Sequence, residues 1–202
     1  MSTIKTNKLV HTANGASEFT LPTADGSANQ VLKTDGSGNL AFTSLVSGIT
    51  EFDSWYLTSN VTSTGTIGSN LARQNKTGTA SPLGTGMSES SGVFTFPSTG
   101  KWLVIVQAMF VCNIGDNVGL DTLVTINGGS NYSHTHRAMD GIADGGTGIR
   151  RASAVTFAFI DVTDTSQVKV KFYADSLNSG SYIVAEQAYV ETAFHFIRIG
   201  DT

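Results

Sequence analysis

Apolar residues are unevenly spaced along this chain, and from Gly92 onward they fall into short runs with a period of two. Val93-Phe94-Thr95-Phe96 predicts a short strand, ended by Pro97 and the turn Ser98-Thr99-Gly100. Trp102 to Cys112 is apolar almost throughout, broken only by Gln107. Its Val, Ile and Phe content and flanking glycine predict a buried sandwich strand rather than a helix. Leu120 to Ile126 leads into Asn127-Gly128, the strongest short hairpin signal, with a partner strand through Tyr132, His134 and His136. Ile149 to Ile160 sets Val155, Phe157 and Phe159 on one face and Ala152, Ala154, Thr156 and Ala158 on the other. Between Gln167 and Tyr173, Val168, Val170 and Phe172 alternate with polar residues, the pattern of a strand buried on one side and wet on the other. The last segment, Tyr189 to Ile199, puts Phe194 and Phe196 on one face and Ala193, Ile197 and Ile199 on the other.

These runs predict an all-β, two-layer antiparallel sandwich. The outer faces of a lone sandwich should be wet, yet some of these strands are apolar on both sides. Burial against another subunit is the expected resolution. The candidate interface residues are Val155, Phe157, Phe159, Phe194, Phe196 and Ile197.

The stretch before Gly92 reads differently. Residues 1–44 are thin in apolar residues and dense in turn signals, with a short repeat: Asp25-Gly26-Ser27-Ala28-Asn29 returns as Asp35-Gly36-Ser37-Gly38-Asn39. Each copy precedes a small apolar patch, Val31-Leu32 and then Leu40-Ala41-Phe42, so each predicts a hairpin. Such hairpins are marginal alone, and this segment is expected to fold against copies of itself or a partner. Residues 45–202 are taken as the head, opening with the anchors Phe52, Trp55, Tyr56 and Leu57.

Composition narrows the function. Charged residues are 14% of 202 and the net charge is −4, with no basic cluster to neutralise phosphates, which argues against a nucleic-acid partner. No apolar run approaches the ~18 residues of a membrane-spanning helix, so no membrane insertion is expected. Met1 to Lys5 lack the apolar core of a signal peptide, so synthesis in a cytoplasm is expected. The single cysteine, Cys112, lies in the apolar run and reads as a small core residue. No nucleophile elbow, zinc-protease motif, phosphate loop or dinucleotide fingerprint occurs, so neither an enzyme nor a cofactor is expected.

Two features keep a binding role open. His134-Thr135-His136 would point both imidazoles to one face of a regular strand, which in a trimer could form a metal cage. The plainer reading, a polar strand with exposed or hydrogen-bonded histidines, is preferred, and no metal is assigned. Met139 to Gly148 is Gly-rich with two acids, Asp140 and Asp144, and is the expected site of outward receptor contacts.

Two parts of the chain also look familiar. Gly92-Val93-Phe94-Thr95-Phe96-Pro97-Ser98-Thr99-Gly100-Lys101-Trp102 resembles the conserved hairpin of the complement-type globular head, among the tumour necrosis factor-like jelly rolls. Asp161 to Val170 and Thr192 to Ile199 are similar to that family's later turn-and-strand and closing strand. The resemblance runs from about Phe52 to Ile199 and implies a homotrimeric jelly-roll head. At the other end, Met1-Ser2-Thr3-Ile4-Lys5-Thr6-Asn7-Lys8 and Leu21 to Leu40 resemble the start of bacteriophage tail-fibre and other virion fibre proteins. That implies a virion structural protein, made in the bacterial host cytoplasm and attached to other virion proteins through its N-terminal segment. Few repeats are present, unlike in long fibres, so a short appendage is expected, with host surface glycan as a candidate outward partner. A capsid decoration (head-fibre) protein and a free carbohydrate-binding module are the alternative expectations.

Overall fold

The computed structural model describes residues 6–10, 18–44, 48–75, 78, 81–113, 115–141, 150–178, 180–186 and 189–202. Every regular element among them is a strand. The chain divides into two compact units, Met1–Gly48 and Ile49–Thr202.

In the first unit, β1 (Lys8–Val10) pairs with β2 (Glu18–Thr20), and β3 (Gln30–Thr34) pairs with β4 (Leu40–Ser44), both antiparallel. The second Asp-Gly repeat makes the hairpin its sequence predicts. Asp35 accepts hydrogen bonds from the amides of Ser37 (2.8 Å) and Asn39 (3.0 Å), while Gly36 and Gly38 take positive φ. The first repeat does not make a hairpin. Asp25-Gly26 lies in the connection from β2 to β3, whose partners are β1 and β4. Gly26 is needed there for a different reason: a Cβ on it would meet the Phe42 ring at 2.6 Å.

The second unit is a sandwich of two antiparallel sheets. One has the order β13-β10-β16-β5-β7, formed by β5 (Phe52–Leu57), β7 (Leu71–Arg73), β10 (Gly100–Cys112), β13 (Arg150–Val162) and β16 (Ala193–Gly200); the two-residue β15 (Tyr182–Ile183) also pairs with β10. The other has the order β12-β11-β14-β9-β8, formed by β8 (Ser88–Ser90), β9 (Val93–Thr95), β11 (Asn117–Thr125), β12 (Ser133–Gly141) and β14 (Lys169–Asp175); the short β6 (Gly65–Thr66) pairs with β14. Successive strands repeatedly change sheet, as when β10 is followed by β11 and β12 by β13. Asn127-Gly128 does connect β11 to β12, through a loop in which the Thr125 hydroxyl donates to Asn127 Oδ1 at 2.7 Å.

Between the sheets lies a core of interlocking rings. Phe94 (β9) and Phe172 (β14) from one sheet meet Trp55, Phe194 and Phe196 from the other. The Phe172 and Phe194 rings stack at 4.1 Å, and the Phe94 ring meets Trp55 edge-on at 5.3 Å. All four phenylalanines are fully buried, as is Cys112. Burial pushes the Cys112 thiol above its ordinary pKa, with Asp116 and Asp140 adding to the effect.

A buried carboxylate closes one side of this core. Asp53 alternates inward on β5, beside Trp55, and is fully buried. It accepts hydrogen bonds from the Trp55 indole (2.9 Å), the Ser81 hydroxyl (2.7 Å), the Met87 amide (2.8 Å), the Ser54 amide (2.9 Å) and Arg73 Nε (3.1 Å). Arg73 also lies over the Trp55 ring at 4.9 Å. A buried charge is tolerable only when its lone pairs are all met. Here meeting them ties β5 and β7 to the connection over residues 81–87.

Candidate functional site

The outer face of the β13-containing sheet is the most unusual surface of the head. Pairing residues across antiparallel strands share a face, so the registers define its rows. Phe159 sits beside Leu103, Ile197 and Phe52, and Phe157 beside Ile105, His195 and Ser54. A third row runs Val155, Gln107, Ala193 and Tyr56. Val155, Phe157 and Phe159 are 63%, 59% and 66% exposed, and the latter two rings contact each other at 6.2 Å. Leu103, Ile105 and Ile197 are half-buried behind them. Ion pairs bracket the apolar rows: Arg151 to Glu191 at 2.7 Å towards one end of β13, and Lys101 to Asp161 at the other.

His195 sits within this face. Its Nδ1 lies 2.9 Å from the Ser54 hydroxyl, its ring stacks on Phe52, and burial holds its pKa below the ordinary imidazole value. At the sheet's edge, where β13 faces β12 of the other sheet, a mostly apolar cleft of about 280 Å³ opens, with Phe159 on its lip and His136 and Asp161 among its polar lining.

Of the six expected interface residues, Val155, Phe157 and Phe159 lie on this open face, with Ile197 half-buried beside them. Phe194 and Phe196 are corrected. Both are fully buried between the sheets, because their side of β16 is the side opposite Phe172 and Phe94. The sequence shows β16 to be apolar on both sides, and periodicity alone does not say which side looks inward.

The expected receptor loop is also revised in part. Met139 to Gly141 belong to β12, and Asp140 pairs with Val118 rather than standing in a loop. Asp144 lies outside the described residues.

The two histidines of β12 do not share a face. Between Thr122 and Leu123 the register slips, so that Thr122 opposes His136 and Leu123 opposes His134, with Thr135 left over. This bulge turns His134 onto the outer side of the β11-containing sheet, beside Asp121, while His136 stays in line with inward-facing Ala138. Among the described residues no group of three or more His, Cys, Asp or Glu side chains is placed to hold a metal.

Asp121 is the residue that pattern reading missed on that sheet. It stands on the outer side of β11 with its side chain 1% exposed, covered by the groups that bind it. Arg137 holds it in a fork, Nε to Oδ1 at 2.5 Å and Nη2 to Oδ2 at 2.7 Å, and His134 Nδ1 lies 2.6 Å from Oδ2. Arg137 Nη2 also reaches Asp175 at 2.8 Å. Burial acts to raise the Asp121 pKa, but the hydrogen bonds and charges of Arg137 and His134 outweigh it and hold the carboxyl below its ordinary value.

Among solved structures, the Eiger tumour necrosis factor of S. frugiperda superimposes with a TM-score of 0.57 at 11% identity, over 75% of this chain and 93% of that one. The fold is a tumour necrosis factor-like jelly roll. Murine APRIL, crystallised at pH 5.0, agrees, with a TM-score of 0.53 at 9% identity over 74% of this chain and 98% of that one. No family model matches the sequence, and no curated protein does. The jelly roll thus has the shape of those proteins and almost none of their sequence.

Replacing Asp121 with Asn should lower stability by about 1.5–3 kcal/mol, the range for hydrogen bonds to a charged group. A carboxyl whose folded pKa is depressed contributes stability that is full above its unfolded value and lost as pH falls through the folded value. The gap in melting temperature between wild type and Asp121→Asn should therefore narrow as pH falls below the ordinary carboxyl range and through the folded value. A gap independent of pH down to 2 would show that the charge of Asp121 adds nothing.

Proposed function

We propose that this chain is a structural and binding component of a bacteriophage particle, a homotrimeric jelly-roll head displayed by an N-terminal attachment segment. The observation that carries the reading is the exposed stripe of Val155, Phe157 and Phe159 with its half-buried neighbours. Contiguous apolar surface rimmed by charge is the anatomy of a subunit interface, apolar at the centre and polar at the edge. The cleft beside Phe159 is a second apolar surface of different shape. Two unlike surfaces on one chain favour a head-to-tail contact that closes into a ring over a two-fold pair, and the tumour necrosis factor-like shape supports three as the number.

The attachment role is supported by the first unit. Its two small sheets leave Leu9, Val10 and Leu32 about half exposed, and two-stranded sheets are marginal without a partner. The fibre-like wording of its sequence supports other virion proteins as that partner. In this reading the protein is made in the host cytoplasm, ends in the virion, and acts by burial and display rather than catalysis.

Sedimentation of the full chain at micromolar concentration should give three copies, and Phe157→Asp with Phe159→Asp should give a folded monomer. A wild type that sediments as a monomer would sink the trimer. Protease should cut before Ile49 in the free chain and be blocked in the particle; equal rates in both settings would remove the attachment role.

A further inference from the structure

The cluster around Asp121 has more structure than a surface ion pair needs. Arg137, itself held by Asp175, already gives the Asp121 carboxylate a two-pronged partner. The β12 bulge then adds a second donor by rotating His134 onto the same face. Bulges are a recurrent means of re-aiming one side chain. An edge strand that bulged only to discourage pairing would have no need to deliver His134 to that carboxylate.

The consequence is a set of polar groups held still. An ionised carboxylate only accepts, so His134 must present Nδ1–H to Asp121, which directs Nε2 away from that contact. Arg137 uses Nε and Nη2 on the two acids; among the described residues Nη1 makes no hydrogen bond. Tyr173 lies edge-on to the His134 ring at 5.4 Å, and Lys171, one row along, lies over the Tyr132 ring at 4.1 Å. Asp121, His134, Thr135, His136 and Arg137 line a shallow hollow of about 170 Å³. That is smaller than the usual pocket of a drug-sized ligand and suited to one ring of a longer molecule lying on the surface.

Charge and hydrogen-bond sense select the ligand. Asp121 and Asp175 balance Arg137 and Lys171, so these four side chains together carry no net charge to attract an anion. Arg137 Nη1 and the outward edge of the His134 ring stand side by side as polar groups, a pairing that the neighbouring hydroxyls of one sugar ring, each both donor and acceptor, can satisfy. Tyr173, in the Asp121 row, adds aromatic surface beside the His134 ring. We propose that the outer face of β11, β12 and β14, centred on His134 and Arg137 and organised by Asp121, is a saccharide-binding site for a neutral, hydroxyl-rich glycan unit.

This places glycan recognition on a sheet face rather than in the 139–148 segment. It takes its biological setting from the display role proposed above, but binding by the purified chain tests it separately. The full-length protein is applied to a printed array of neutral and acidic bacterial polysaccharide fragments, and retained fragments are titrated by calorimetry, with inorganic phosphate as the counter-probe. At least one neutral saccharide should bind. His134→Gln, which keeps a donor for Asp121, should weaken it about tenfold, the loss of one good hydrogen bond, with melting temperature and subunit number nearly unchanged; Arg137→Lys, which keeps the charge but loses the fork, should weaken it as much and also lower the melting temperature. Absence of binding across the array, retention of phosphate but no saccharide, or affinity unmoved by His134→Gln would each overturn the assignment. A monomeric wild type that still binds saccharide would remove the trimer and leave this site standing.

Discussion

A strand has two faces, and a two-layer sandwich buries only one of them. That constraint governs this head. β10 carries Trp102, Val104, Val106, Ala108 and Phe110 inward and Leu103, Ile105 and Met109 outward; β16 carries Phe194 and Phe196 inward and Ile197 and Ile199 outward. The inward set meets Phe94 and Phe172 and closes the core. Among the described residues of the head no second sheet lies over the outward set, nor over Val155, Phe157 and Phe159 on β13. At about 25 cal/mol per Å² of apolar area removed from water, covering such a face supplies a substantial driving force for association.

The polar devices of the fold can be understood from the same constraint. Asp53 is a charge where the core meets its boundary, and it is stable there because five donors converge on it. Asp121 does on an outer face what Asp53 does at the core's margin, holding arginine and, in its case, histidine in place. Arg137 grips Asp121 with its fork, whereas Arg73 gives Asp53 only Nε and turns Nη2 to the Met87 carbonyl. They differ in what they hold: Asp53 ties strands to a loop, and Asp121 arranges side chains that face solvent.

Much of the head was legible in the sequence. The strands at Val93–Thr95, Gly100–Cys112 and Lys169–Asp175 fall where alternation and turn residues placed them, and Cys112 is the core residue its surroundings implied. The exposed stripe on β13 was readable because alanines occupy one side of the strand and large apolar residues the other. Other features were not readable, for identifiable reasons. The β12 bulge depends on how Thr122 and Leu123 pair with a distant strand, so the His134-Thr135-His136 spacing suggested one shared face when there are two. Phe194 and Phe196 were assigned outward because a strand apolar on both sides conceals its orientation. Asp25-Gly26 and Asp35-Gly36 look alike locally, yet only the second turns a hairpin, since pairing partners decide between loop and turn. Asp53 and Asp121 are invisible to hydropathy, and only the donors gathered around them reveal their roles.

The central claim, that the open face of β13 is covered by another copy, is tested most directly by thiol accessibility. Cys112 is the only cysteine and is buried, so Val155→Cys places the one reactive thiol in the middle of the stripe with little change of shape. A maleimide reagent added to the native full-length variant should label position 155 slowly at micromolar protein, and rapidly once the protein is unfolded or combined with Phe157→Asp and Phe159→Asp. Fast, stoichiometric labelling of the native single variant, at the rate of the unfolded chain, would contradict the account.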